Sequence, residues 1–410
     1  MTASKILFLV LDGIADRPCS ELGDLTPLMA ADAPNLNHYA KTGICGIMDP
    51  IAPGIRPGSD TAHLSLLGYP PEKYYTGRGP LEAIGSGILM KEGMIGFRAN
   101  YATTENGMVT DRRAGRITCT EALSRSIEEN VDLSDYDAEI TFRSGAGHRA
   151  ALALKGMDLS DMVSANDPKN ENQPSPPIKP LDGSYAAKRT ADICNSFVTQ
   201  ADEILKSHPI NIERMKKGLP PANTVLIRGA GMMGHYEPFE EKFGIYGSVI
   251  SAAALIRGIG TAVGLEAVHV EGITGSADSD LDAKLEAAVT EIGRKDFVLV
   301  NIKGADESGH DGDAVKKKEF IEKIDIAMGK ISIPDECLLL ICADHSTPCT
   351  IKDHSADPVP IIIHGDGVRV DDVHSYDEIS CASGALCRIT GGTLMPTLLD
   401  LINKTHKYGA

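Results

Sequence analysis

Several apolar runs in this chain have the length of a strand and stop at an acid. Residues 6–11 read ILFLVL and meet Asp12 and Gly13; residues 297–302 read FVLVNI and open into KGADESGHDGD. Residues 338–342, LLLIC, are followed after Ala343 by Asp344 and His345. Unbroken apolar runs of this size predict strands covered on both faces. Residues 359–364, VPIIIH, and 266–273, EAVHVEGI, read as two more strands. Amphipathic spacing marks 280–292 and 315–328 as helices, and the small-residue stretch 248–260, SVISAAALIRGIG, reads as a buried helix. Strands alternating with helices predict an α/β fold, with helices on both faces of a mainly parallel sheet.

Ligands of open α/β sheets gather beyond the carboxyl ends of the strands. Asp12, Asp306 and Asp344 are therefore expected along one edge, although each acid alone also suits a plain turn. Asp306 and His310 stand four apart and share a face if the chain enters a helix there. His345 follows Asp344 directly, and His354 lies beyond the polar loop STPCTIKD. Carboxylate and imidazole ligands suit Mn²⁺, Zn²⁺, Co²⁺ or Mg²⁺ rather than a thiolate metal, and six of them suit two ions better than one. Ser59 precedes a short helix expected over 60–67. It is placed either to cap that helix or to present a hydroxyl to an anion at its positive end. A hydroxyl beside two ions implies phosphoryl transfer through phosphoserine.

The texture changes over 75–244, which divides the chain into 1–74, an insert at 75–244, and 245–410. The insert bunches Arg98, Asp111, Arg112, Arg113, Arg116, Arg143, His148 and Arg149 in glycine- and asparagine-rich contexts. These form either a solvated face or loops converging on an anion. Gly229, Gly231 and Gly234 have dinucleotide-loop spacing, but Pro238 and a poorly periodic continuation argue against the helix such a loop requires.

Composition narrows the partners. Forty Lys+Arg against 57 Asp+Glu leave a net charge of −17, which disfavours nucleic acid and anionic membranes. An anionic substrate then needs a local basic pocket. The nine cysteines show no paired spacing and read as reduced thiols of a cytosolic protein. No apolar run has the length of a membrane span.

In chain order, LVLDG, GSDTAHLSLLGY, KGADESGHDGD and ADHSTPCTIKDHSADPVPI resemble the alkaline phosphatase superfamily, and closely the archaeal-type cofactor-independent phosphoglycerate mutases. The similarity runs over nearly the whole chain, including DRRAGR and GAGHRAAL. It implies an alkaline-phosphatase-like sandwich with an inserted α/β transferase domain, interconverting 3-phosphoglycerate and 2-phosphoglycerate with two divalent metals, commonly Mn²⁺. Carried over by motif, Ser59 is the phosphorylated nucleophile. Asp12, Ser59, Asp344 and His345 bind one metal, and Asp306, His310 and His354 the other. Gly58 and Asp60 stand where the bacterial branch has Asn and Glu, while His63 keeps its place. In the absence of that Asn, one hydrogen bond to the phosphate falls to Lys303 or Arg257. Arg112, Arg116 and Arg149, with Arg98, are candidates for the substrate carboxylate, and Asp111 or His148 for the acid/base. The same metal motifs also fit a metal-dependent phosphohydrolase or another phosphomutase of the superfamily.

Overall fold

The apolar runs become the middle of one sheet because neither face of these strands is left to water. In the computed structural model, which describes residues 3–409, the chain divides into two compact units: Met1–Tyr75 with Tyr236–Ala410, and Thr76–His235. The first unit has eight strands: β1 (Lys5–Leu11), β2 (Ile44–Asp49), β3 (Gly247–Ile250), β4 (Glu266–Ala267), β5 (Phe297–Ile302), β6 (Cys337–Cys342), β7 (Val359–His364) and β8 (Cys387–Thr390). Their order is β4-β3-β5-β1-β6-β7-β2-β8. Only β7 runs against its neighbours, so the sheet is mainly parallel. Apart from half-buried Lys5, every residue of β1, β5 and β6 is buried.

Register brings these three central strands out together. Val10 lies beside Asn301 of β5 and Cys342 of β6, so Asp12, Lys303 and Asp344 emerge from a single edge. The antiparallel turn into β7 begins and ends the segment 343–358 at that edge too, since no crossover is needed between antiparallel neighbours.

Two local expectations are corrected. Residues 248–260 are not one helix: β3 pairs with β4 and β5, and the helix Ala254–Ala262 follows. Small residues are needed because the helix lies against its own strand, where a Cβ on Gly260 would stand 2.6 Å from Val249 Cγ1. Residues 266–273 supply only the exposed two-residue edge strand β4.

The insert boundary also moves. Residues 236–244, assigned to the insert by texture, pack within the first unit, where the Phe239 ring centroid lies 4.8 Å from that of Phe297.

The second unit is built on Ile95–Glu105, Met108–Asp111, Ala138–Ser144, Arg149–Gly156, Gln173–Pro174 and Thr224–Met232, paired antiparallel. Phe97, Tyr101, Phe142 and Leu152 share its core with Phe197 of the helix Tyr185–Lys206. The strand Thr224–Met232 continues through Gly229 and Gly231 with a register shift between Arg228 and Gly231, so these glycines form no dinucleotide loop. A Cβ on Gly231 would meet Thr76 O at 2.5 Å, which explains the small residue by close packing.

Candidate metal centre

Three buried carboxylates meet at the strand ends. Asp12 leaves β1, Asp306 sits in the first turn of the helix Gly304–Asp311 after β5, and Asp344 leaves β6. Their exposures are 0, 3 and 0 %. The Asp306 N–H donates to the Asp12 carbonyl at 3.1 Å and joins two of the exits. Lys303 Nζ lies between the carboxylates, donating to Asp12 Oδ1 at 3.1 Å and Asp306 Oδ2 at 2.6 Å. Burial opposes its charge, but Asp12 and Asp306 more than compensate and hold the ammonium above its ordinary range.

The carboxyl groups respond differently to this crowding. Burial and then Asp344 push Asp12 upward. For Asp306, burial is outweighed by Lys303 and His354, and the group stays well below the carboxylate range. Asp344 is likewise held down, because His345 and His63 overcome its burial.

The histidines offer ring nitrogens to the same space. His354 Nδ1–H donates to Pro57 O at 2.9 Å and His310 Nδ1–H to Lys352 O at 3.0 Å. A carbonyl only accepts, so in the neutral ring each Nε2 keeps the lone pair; these nitrogens lie 3.5 and 3.4 Å from Asp306 Oδ1. His345 Nε2 lies 3.1 Å from Ser59 Oγ, 3.2 Å from Asp344 Oδ2 and 3.7 Å from Asp12 Oδ1. The His345 and His354 rings stack at 3.5 Å, and Ser346 and Ser355, the residues that follow them, form an antiparallel bridge.

Ser59 opens the helix Ser59–Leu66 instead of capping it, one residue earlier than the sequence suggests. Gly58 takes the cap position, and its N–H donates to Thr61 Oγ1. The Ser59 hydroxyl is thereby spared for His345.

These residues fit divalent cations. Ligand atoms of Asp12, Asp344 and His345 lie within 4.8 Å of one another, as do those of Asp306, His345 and His354. Among the described residues Asp344 Oδ2 is buried without a hydrogen-bond partner, a costly state that a cation would relieve. One ammonium against three carboxylates also leaves negative charge uncompensated. His310, with 40 % of its side chain exposed, lies at the rim of the second group.

Other expected residues fall elsewhere. His63 is fully buried; its Nδ1–H donates to Ser59 O at 2.8 Å and Nε2 faces Asn301, so it braces the strand ends behind Ser59. Arg257 donates to the Ser251 and Ala252 carbonyls and lines a separate cavity with His269 and Ile273. Asn301 escaped sequence reasoning: its Nδ2 donates to Asp12 Oδ2 at 2.9 Å, and the available signal was one amide inside an apolar strand.

Within the second unit, Arg98 and Arg228 face each other on paired strands. Burial, and next Arg78, lower Arg98 to about 10, with Arg228 and Arg149 also nearby; Glu82 offsets them at 3.3 Å. Arg112 grips Asp167 with two hydrogen bonds of 2.9 and 2.8 Å, and Arg228 bonds the same carboxylate. Arg78, Glu82, Asp167 and Arg228 were not anticipated, because cross-strand pairing is invisible to local motifs. Arg116 is exposed in a turn where Ala114, Gly115 and Arg116 all have positive φ. Asp111 accepts from the Arg113 and Gly115 N–H groups and braces that turn. Burial and then Arg149 and Arg113 lower His148 to about 4, with Asp111 opposing.

A profile of the family described as 2,3-bisphosphoglycerate-independent phosphoglycerate mutase matches residues 40–211. A protein of that name from Methanoculleus marisnigri is 61 % identical over 411 residues, covering 100 % of both chains. Another, from Methanocorpusculum labreanum, is 60 % identical over the same share of each. Among solved structures, a Pyrococcus horikoshii protein matches with a TM-score of 0.85 at 35 % identity, covering 100 % of both chains. A cofactor-independent phosphoglycerate mutase from Thermoplasma acidophilum matches at 0.70 and 40 % identity, covering 98 % of this chain and 100 % of the other.

Proposed function

The chain belongs to the family of 2,3-bisphosphoglycerate-independent phosphoglycerate mutases, and from that premise we propose how it interconverts 3-phosphoglycerate and 2-phosphoglycerate: the phosphoryl group passes through Ser59 beside two divalent ions, Mn²⁺ in particular. Without a bisphosphorylated cofactor, the group leaving one hydroxyl must be kept on the protein until the other receives it. The observation that carries the reading is Ser59 Oγ itself, 3.1 Å from His345 Nε2 and at the amino end of a helix. Free N–H groups and the helix dipole favour a phosphate there.

Asp12, Ser59, Asp344 and His345 would hold one ion, and Asp306, His310 and His354 the other. When bound there, such ions would supply Lewis acidity, favouring the serine alkoxide and offsetting negative charge on a phosphoryl group. Lys303, kept cationic, is the protein's own donor to those oxygens. The substrate carboxylate calls for guanidinium groups, for which Arg98, Arg149 and Arg116 are the candidates, because Arg228 is paired with Asp167 and Arg78 with Glu82. Arg112 is committed to Asp167. His148, neutral near pH 7, can accept a proton from the glycerate hydroxyl, whereas Asp111 is engaged with backbone N–H groups. Both phosphoglycerates are intermediates of glycolysis and gluconeogenesis, which places the chain in that route.

The test is incubation with 3-phosphoglycerate and Mn²⁺, without 2,3-bisphosphoglycerate, followed by ³¹P NMR. The expected product is 2-phosphoglycerate. Mainly inorganic phosphate would favour the phosphohydrolase reading instead, because water would then be reaching phosphoserine.

A further inference from the structure

We propose that Thr347 is a positioning residue that fixes which ring nitrogen of His345 is offered to a metal, and that its single hydroxyl ties the two ligand groups together. The proposal rests on the metal reading above and deepens it. Thr347 is fully buried, with Oγ1 2.8 Å from Asp306 Oδ1 and 3.0 Å from His345 Nδ1. A hydroxyl has one proton to give. Asp306 Oδ2 accepts from the Lys303 ammonium at 2.6 Å, and a carboxylate paired in this way can only accept at Oδ1. The threonine proton therefore goes to Asp306, and Thr347 Oγ1 accepts from His345 Nδ1–H. That leaves the lone pair on Nε2, the nitrogen facing Ser59, Asp344 and Asp12. The other tautomer would set a lone pair against a hydroxyl whose proton is already used, and would turn an N–H into the ligand space.

The other two histidines achieve the same result with backbone carbonyls, Pro57 O and Lys352 O. Among the histidine ligands, His345 alone depends on a side chain for this, and the side chain is the one that also holds Asp306. Its rotamer is clamped from several sides. A Cβ on Gly13 would stand 2.6 Å from Thr347 Oγ1, and one on Gly309 2.8 Å from Thr347 Cγ2. The Thr347 N–H donates to Ala15 O at 3.1 Å, and Lys317 Nζ donates to Thr347 O at 3.0 Å. A β-branched residue held at both ends of its backbone has little freedom to turn the hydroxyl away.

The experiment measures Mn²⁺ binding to the metal-stripped full chain by isothermal titration calorimetry, comparing wild type with Thr347→Val and Thr347→Ser. It adds ¹⁵N NMR of the histidine rings in the metal-free protein, with His345→Gln to assign the signal. Expected are an Nδ1–H signature for His345 and Mn²⁺ binding weakened about tenfold to a hundredfold by Thr347→Val. Thr347→Ser should stay close to wild type. An Nε2–H signature would overturn the proposal, as would wild-type affinity in Thr347→Val or an equal loss in Thr347→Ser, which would point to packing alone. A wild-type chain that bound no divalent ion would remove the metal reading itself, and this proposal with it.

Discussion

Lys317 Nζ lies 2.8 Å from Asp16 Oδ2, and neither side chain has any exposure. The ammonium also donates to the carbonyls of Ala15 and Thr347, and Asp16 Oδ1 accepts from the N–H groups of Arg17 and Cys349. The loop after β1 is thus fastened to the loop after β6 behind the ligands. Cys19 and Cys349 adjoin Asp16 in a grouping that could suit a metal, but Lys317 already supplies the cation there. Burial and next Asp16 push the Cys19 thiol up to about 11, so it remains protonated. Lys317→Met should cost about 3–5 kcal/mol by stranding a buried carboxylate. The double change with Asp16→Leu should cost less than Lys317→Met alone, as read by urea unfolding.

Ser59→Ala should abolish turnover and phosphoenzyme formation, while leaving enough carboxylate and imidazole ligands to bind Mn²⁺. Turnover assays with acid-quenched mass spectrometry check the first, and calorimetry the second. Unaltered turnover would remove Ser59 from its role.

Removing divalent ions should abolish activity and lower the thermal midpoint, because the carboxylates of Asp12, Asp306 and Asp344 would face one another with Lys303 as their main counter-charge. Restoring Mn²⁺ to a hundred times its Kd should return about 2.7 kcal/mol per site. Calorimetric scans with chelator and with added metal measure the difference.

Asp202 provides a pH dependence away from the metals. Burial raises its carboxyl to about 6 from 3.8, with Thr224 and Lys206 opposing, and Oδ1 has no hydrogen-bond partner among the described residues. Between these values the folded chain holds a proton that the unfolded chain has released. Its contribution to stability therefore falls as pH rises through this window, and the loss is complete above it. Asp202→Asn abolishes that titration. It should match wild type near pH 4 and exceed it near pH 7.5 by about 1–2 kcal/mol, allowing for partial exposure; denaturant midpoints at the two pH values test this.

How far the sequence could be read depended on whether a feature was local. Strands ending at Asp12 and Asp344 could be read because an apolar run and its acid are adjacent, and the Asp306–His310 spacing marked a helix that forms over Gly304–Asp311. The start of SVISAAALIRGIG misled, because small apolar residues suit a buried strand and a close-packed helix equally. Thr347, Asn301 and Arg228 stayed hidden for another reason: their partners, Asp306, Asp12 and Asp167, are remote in sequence. His63 carried a motif position but had no way to reveal its burial. Among the described residues no helix is long and apolar enough to cross a membrane, and all nine cysteines are free.

The bridge between Ser346 and Ser355 changes what kind of object the segment between β6 and β7 is. The Ser355 N–H donates to Ser346 O at 3.0 Å, so the spacer is pinched shut at its base, beside the two stacked histidines. The distance between those rings is then inherited from strand-like geometry and does not depend on a floppy closure. Added residues at the outer tip would lengthen a small subsidiary loop at a modest entropic cost, growing only with the logarithm of its length. The segment behaves as a rigid staple: its prongs keep their gauge because Thr347, Cys349 and Lys352 in the spacer are themselves tied to the segments that carry or back the ligands.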